Sequence, residues 1–407
     1  MKITKCRICN SKVFLNLFSL GKLSFTGKFA KKKTDNIPKR EVTIVMCKQC
    51  KLIQLNNNFS SKYLYSNDYG YRTGINKTMS EHVRKLVKFT SNKMKLKKND
   101  AVLDIASNDG TLLNYYDKKI ITVGVDPILK KYKQFYNQID FKVDDFFNIQ
   151  ALKRKKINTK FKVITALSMF YDLKNPNKFL SGIKKILDID GIFILEHADL
   201  LSLLKNNLFD TICHEHLEYY SSKIIFDLMK RNRLRVFDVQ KDNVNGGSTR
   251  YYISHDTSKF NTKTKSLNKL IEEEKRFKLD SVITFKNFEK KLIRKKKEMI
   301  KFILKQKKNN KVIHGYGAST KGNVLLQYFD ITNKHIDLIA ERNPQKFNKF
   351  TPGTKIKITS ENYSRKLKPD YYLVLPWHFR KEIVKREKKT RMKGTKLIFP
   401  LPQMKII

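Results

Sequence analysis

Long apolar runs are missing from this 407-residue chain. Stretches such as Gly191 to Leu195 fall far short of the ~20 residues that a bilayer crossing needs. The opening residues, MKITKCRICN, lack the apolar core of a secretory signal. The expectation is a cytoplasmic protein with no membrane partner. Acidic residues are also scarce, 37 Asp and Glu against 86 Lys and Arg, for a formal charge of +49. Arginine is scarcer still, because 70 of the basic residues are lysine. Base readout and phosphate forks favour arginine, and these lysines run along the whole chain instead of forming one stripe. The charge therefore reads as a solvated basic surface with a general pull on anions, and nucleic-acid binding is not the expected function. Disorder is excluded over most of the length, since 40% apolar and 11% aromatic residues supply a core. The length suits two to three domains.

Cysteine is limited to five residues, four of them paired as Cys6-Arg7-Ile8-Cys9 and Cys47-Lys48-Gln49-Cys50. Without a secretory signal a disulfide framework is not expected. Two C-x2-C pairs close in sequence instead read as a structural zinc site, each pair gripping the metal from one turn. The 37-residue gap between the pairs is longer than usual. Four thiolates fill a tetrahedral ion and leave no open position for catalysis.

Residues 1–66 form the expected zinc-binding domain. Residues 67–255 begin with helical spacing over Lys77 to Lys95 and continue as alternating strands and helices. Ala101–Ala106, Ile120–Asp126, Phe141–Asp145, Lys162–Leu167 and Gly191–Glu196 read as strands, and Thr111–Tyr116 and Phe179–Leu187 as helices. That alternation predicts a doubly wound α/β sheet, which binds ligands at the carboxyl ends of its strands. Residues 256–310 lack Gly and Pro and read as a helical linker. Residues 311–407 restart an α/β pattern with the strands Lys311–His314, Ile336–Ala340 and Tyr371–Pro376.

Four segments carry chemistry. Asp104 closes the first strand before the turn Ser107-Asn108-Asp109-Gly110, and Asp126 closes the second. An acid at that point fits a ribose diol. One glycine is too few for a dinucleotide fingerprint, and acids around the turn repel phosphate. S-adenosylmethionine, with a ribose and a sulfonium but no phosphate, suits the turn better than a nucleotide does. Asp145 and the adjoining Phe146 end the third strand and belong to the same pocket. The second segment is Cys213-His214-Glu215-His216-Leu217-Glu218-Tyr219-Tyr220-Ser221. It offers a base active near neutral pH, a metal site lacking a third histidine, or a plain polar loop before a helix capped by Ser221 or Ser222. The third, Asn243-Val-Asn245-Gly246-Gly-Ser-Thr-Arg250, is a hairpin turn or a backbone surface for a hydroxylated ligand. The fourth, Gly315-Tyr316-Gly-Ala-Ser-Thr-Lys321-Gly322 leading to Asn323, is a candidate anion cradle.

Taken in order, these motifs resemble the three-domain sugar C-methyltransferases that act on nucleotide-linked 4-keto-deoxysugars, and the likeness covers nearly the whole chain. The resemblance implies a class I S-adenosylmethionine-dependent methyltransferase core, Rossmann-like, with an N-terminal zinc-binding domain and a C-terminal Rossmann-like domain. It implies that His216 is the base for the proton α to the ketone, that Glu215 orients that histidine or holds a sugar hydroxyl, and that Tyr71 sits on the substrate. His214, Asn245, Gly246, Tyr316, Lys321 and Asn323 would line the nucleotide-sugar side. Two departures stand out. Ser168-Met-Phe-Tyr-Asp-Leu173 replaces the more common Asn-Val-Phe form, and Cys213 stands where a tyrosine is frequent. Both bear on which sugar and which carbon react. O- or N-methylation of another small hydroxylated molecule is the alternative within enzymes. An RNA-binding or RNA-modifying protein is the alternative from another class.

Overall fold

Three sheets organise the chain in the computed structural model, which describes residues 1–65 and 69–407. The expected boundary between residues 66 and 67 lies outside the described residues. The first sheet is antiparallel, with strands Phe14–Ser24, Lys39–Cys47 and Ile53–Leu55. Its fourth strand, Glu218–Tyr219, arrives from far along the chain and pairs Ile53 with Tyr219 and Gln54 with Glu218.

The second sheet holds five parallel strands, Ala101–Ile105, Ile121–Val125, Phe141–Val143, Phe161–Leu167 and Leu187–His197. An antiparallel hairpin, Leu234–Asp242 with Ser248–His255, closes one edge. Numbered by their entry into this sheet, the strands lie in the order 3-2-1-4-5-7-6. The first strand is buried along its whole length, as a parallel strand covered on both faces must be. Strand order reverses between Ala101–Ile105 and Phe161–Leu167, and a crevice opens beyond their carboxyl ends. The helix expected over Thr111–Tyr116 shrinks to a 3-10 turn, Leu113–Tyr115, because the connection to the strand at Ile121 is short.

The third sheet has parallel strands Ile313–Tyr316, Ile339–Glu341, Ile358–Ser360, Tyr371–Val374 and Lys396–Phe399, with Lys405–Ile406 antiparallel at the edge. Gly315 and Tyr316, read as part of a turn, are the last strand residues. Helix Thr320–Tyr328 follows, capped by Ser319, whose hydroxyl accepts from Gly322 N.

Helix Lys77–Met94 starts at Asn76, whose side chain accepts from Met79 N, and ends at Lys95 in the left-handed region. Residues 256–310 contain two helices, Thr264–Phe277 and Val282–Lys308. The second is no mere spacer. Its Phe285, Phe288, Leu292, Met299 and Ile303 are buried, and Phe288 meets Phe18 with ring centroids 5.6 Å apart. Leu17 and Leu20 of the first sheet and Ile313 and Leu373 of the third share that core. Each such side chain contributes about 1.5–3 kcal/mol by burial, so this helix cements the first sheet to the third. Its lysines face solvent. Among the described residues no helix is long and apolar enough to cross a membrane.

Candidate active site

The four paired cysteines converge, with all Sγ atoms within 4.8 Å of one another. Cys6 and Cys50 lie 3.6 Å apart and Cys9 and Cys47 3.5 Å apart. A tetrahedral site with Zn–S bonds of ~2.3 Å requires sulfur–sulfur edges of ~3.8 Å, so the thiols fit the ion. Gln54 Nε2 donates to Cys6 Sγ at 3.3 Å. Arg7, between Cys6 and Cys9, turns inward. Its guanidinium donates to Leu55 O (2.9 Å), Asn57 O (2.9 Å) and Leu217 O (3.3 Å), and lies 3.7 Å from Glu218. The metal knuckle therefore grips the loop that carries His216. Cys213, the fifth cysteine, is buried in the core shared by the first and third sheets.

One cavity of about 540 Å³ runs from the carboxyl ends of the second sheet to those of the third. Asp104, Ser107, Asn108, Asp126 and Phe146 line one end. Asp126 accepts from Asn108 N and Ile128 N, each at 2.8 Å, so the second strand's acid clasps the turn after the first. Burial pushes its carboxyl up to about 6, and pushes Asp104, which accepts from Thr165 Oγ1 at 2.6 Å, up to about 7. Ser107 Oγ meets Tyr136 OH at 2.8 Å. Asn108 Oδ1 accepts from Thr73 N (2.9 Å), and Asp109 accepts from Arg72 Nε (3.0 Å) and Gly74 N (2.9 Å). This turn thus holds the Tyr71–Gly74 segment over the cavity mouth, a pairing that sequence reasoning missed.

Two residues expected at this end do not line the cavity. Gly110 serves the turn itself: its φ is +73°, and a Cβ there would lie 2.7 Å from Ile139 Cδ1. Asp145 turns outward to Arg154, 2.5 Å away, while Phe146 faces the cavity.

Tyr71, Glu215 and His216 all line the middle of the cavity. His216 Nδ1 lies 2.6 Å from the Thr211 carbonyl, so Nδ1 carries the proton and Nε2 presents a lone pair. The Tyr171 ring packs 4.2 Å from the imidazole, centroid to centroid. Burial drives the ring's pKa down to about 3, which keeps it neutral. Thr211, not Glu215, orients this ring. Glu215 Oε2 accepts from Thr26 Oγ1 at 3.3 Å. Local pairing fixes the loop on both sides of His216. Leu217 N donates to Tyr171 O at 2.7 Å, and Leu55 N donates to Leu217 O at 2.9 Å.

On the far side, Asn245, Tyr316 and Lys321 line the cavity, with Lys321 Nζ donating to Asn245 O at 3.0 Å. Tyr316 OH lies between Glu361 and Glu387, at 2.8 and 2.7 Å. Three residues expected here are placed elsewhere. His214 is fully buried against Phe25 and Phe59, with ring centroids 4.6 and 4.9 Å away, and serves as core. Asn323 is fully buried and donates to Thr26 O at 2.7 Å, tying the third sheet's first helix to the N-terminal domain. Gly246, with φ +94°, lets the turn pass Trp377, whose Cη2 would be 3.0 Å from a Cβ.

The structure adds residues that sequence reasoning did not name. Glu341 accepts from Ala318 N at 2.7 Å and from Arg342 N and Asn343 N at 2.8 Å, repeating in the third sheet the clasp that Asp126 makes in the second. The strand-end-acid rule applied to Ile336–Ala340 points to it. Arg342, Lys346, His378 and Arg386 also line this end.

Three family models match successive parts of the chain: "Putative zinc binding domain" over residues 6–65, "Methyltransferase domain" over 75–238 and "C-methyltransferase C-terminal domain" over 243–402. The C-methyltransferase NovU of Streptomyces niveus is 26% identical over 411 aligned residues, which cover 100% of this chain and 97% of that protein. Solved structures with similar folds include an S-adenosylmethionine-dependent methyltransferase from Clostridium acetobutylicum ATCC 824. It is 16% identical with a TM-score of 0.36, over 43% of this chain and 92% of that one. Magnesium protoporphyrin IX methyltransferase from Synechocystis PCC 6803, with bound S-adenosylmethionine, is 12% identical with a TM-score of 0.33, over 43% of this chain and 79% of that one.

Proposed function

The chain belongs to the S-adenosylmethionine-dependent C-methyltransferases, and from that premise we propose that it methylates a carbon next to the ketone of a nucleotide-linked keto-deoxysugar, with His216 as the base. The observation that carries the reading is the His216 imidazole itself. Its Nδ1 is tied to a carbonyl, leaving Nε2 free in the cavity that Asp126 also lines.

Carbon is a poor nucleophile until an adjacent carbonyl can take up its charge, so the reaction needs a neutral base at the α-proton. Burial keeps His216 neutral, and the Thr211 carbonyl fixes its tautomer. When bound, S-adenosylmethionine supplies an electrophilic methyl group. Asp126 and Asp104 are the groups for its ribose and cationic end, and Phe146 gives an apolar wall. Asp126 uses two of its four acceptor positions on backbone amides, which leaves two for hydroxyls. Glu215, next to the base in sequence, and Tyr71, which lines the same cavity, are the substrate contacts. Arg342, Lys346 and Arg386 give the far end a positive character that matches a diphosphate.

The test is mass spectrometry of a panel of nucleotide-linked 4-keto-6-deoxysugars incubated with enzyme and S-adenosylmethionine in heavy water. A single methyl gain on one sugar, lost in His216→Ala while cofactor affinity persists, is expected. Methylation at an oxygen or nitrogen, with no deuterium entering the sugar carbons, would overturn the reading.

A further inference from the structure

Lys321 and His378 reach the catalytic cavity from the third sheet. Lys321 lies in the first turn of helix Thr320–Tyr328, and His378 in the turn Trp377–Phe379 that follows strand Tyr371–Val374. The contacts that hold them lead back to the loop of His216. Trp377 Nε1 donates to buried Asp210 at 2.8 Å, and Asp210 immediately precedes Thr211, the residue whose carbonyl holds His216. Lys321 is tethered to the 243–250 turn through Asn245 O, and the same turn packs on Trp377.

The two histidines take opposite tautomers. His216 has its proton on Nδ1 because a carbonyl oxygen faces that nitrogen at 2.6 Å. His378 Nδ1 is buried with no hydrogen-bond partner among the described residues. A buried acceptor without a partner is tolerated better than a buried N–H without one. That assigns the lone pair to Nδ1 and the proton to Nε2. Burial and the charge of Lys321 hold His378 neutral. Lys321 has three donors, and Asn245 O takes one. Enclosing the others without an acceptor is costly.

We infer that His378 Nε2–H and the Lys321 ammonium together receive the ketone oxygen of the substrate and hold its charge as the enolate forms. The inference rests on the keto-sugar reading above. His216 Nε2 takes the α-proton, the C–H pair becomes the C=C bond, and the carbonyl π pair moves to the oxygen between the two donors. Neither donor gives up its proton. When the carbon bonds the methyl, the C–S pair stays on the donor's sulfur, the C=O bond re-forms, and the His216 imidazolium releases its proton to solvent.

The experiment measures solvent-deuterium entry at the α-carbon of the same 4-keto-6-deoxysugar panel, with S-adenosylhomocysteine in place of the methyl donor. In His378→Ala the exchange rate should fall about 10²–10³-fold, the scale of one lost oxyanion donor, with KM and cofactor affinity little changed. His378→Gln, whose amide N–H reaches toward the Nε2 position, should recover much of that loss. Lys321→Met should show the same selective fall in rate, which keeps the test decisive should the alanine variant fail to fold. Exchange at near wild-type rate in a folded His378→Ala or Lys321→Met enzyme overturns the inference alone. No exchange in the wild type on any sugar of the panel overturns the keto-sugar reading and this inference with it.

Discussion

Asp126 accepts from two backbone amides and lines the cavity. Burial raises its carboxyl to about 6. On the proposed reading the ionised form accepts ribose hydroxyls, and protonation turns one acceptor into a donor. Cofactor affinity is therefore expected to level off above pH ~8 and to fall as pH drops through about 7 and about 6. Asp104, raised to about 7, acts in the same direction. Asp126→Asn should bind about tenfold more weakly, a loss of about 1.4 kcal/mol, as expected for one hydrogen bond to a charged group, with a shallower pH dependence. Calorimetric titration with S-adenosylmethionine between pH 5 and 8 checks this, and unchanged affinity in the variant would remove Asp126 from the site. His216 behaves differently. With its pKa driven down to about 3, it stays neutral across that range and sets no acid limb near pH 6.

The first sheet ends in a strand borrowed from the loop that carries His216. Ile53–Leu55 pairs with Glu218–Tyr219, and Arg7 of the first cysteine knuckle bonds Leu217 O one residue after His216. The cysteine knuckle thus holds the loop that carries His216, the proposed base. Cys47→Ser is expected to lose zinc, destabilise the N-terminal domain and lower kcat, although no thiolate touches the substrate. Metal analysis together with thermal unfolding checks it. Arg7→Ala is the sharper probe. Burial pushes the Glu218 carboxyl well above its usual range, so the loss falls on the buried Leu55 and Leu217 carbonyls and the half-buried Asn57 carbonyl that the guanidinium serves. A destabilisation of about 1–3 kcal/mol is expected in denaturant unfolding, with zinc retained. Unchanged stability would show that the knuckle and the loop are independent.

Across the whole molecule, one apolar core joins the N-terminal sheet, helix Val282–Lys308 and the third sheet, while the second sheet has its own cores on its two faces. The N- and C-terminal domains therefore share one core, which the 200–219 segment of the middle domain also enters. A chain lacking residues 1–65 would expose Phe285, Phe288 and the inner face of the third sheet. It should aggregate or unfold with loss of the third-sheet structure as well. Hydrogen exchange of strands Ile313–Tyr316 and Tyr371–Val374 in the truncated chain checks this, and full protection there would show the third sheet folding alone.

Much of this was legible in the sequence because it depends on near neighbours. Thiol pairs with two residues between them, apolar strands ending near Asp104 and at Asp126, and a serine cap at 221 or 222 each need only a few residues to declare themselves, and most helices and parallel strands followed the hydrophobic period. Which neighbour of a pair faces the cavity was decided elsewhere. His214 and His216 are chemically alike, yet Phe25 and Phe59 claim the first for the core, while the Thr211 carbonyl turns the second toward the cavity. Asp145 answers to Arg154 nine residues on, and Asn323 to Thr26 across a gap that no local pattern spans. Lys321 and His378, from separate segments of the C-terminal domain, come to line the His216 cavity only because distant apolar faces must cover one another, and that closure is set by tertiary packing.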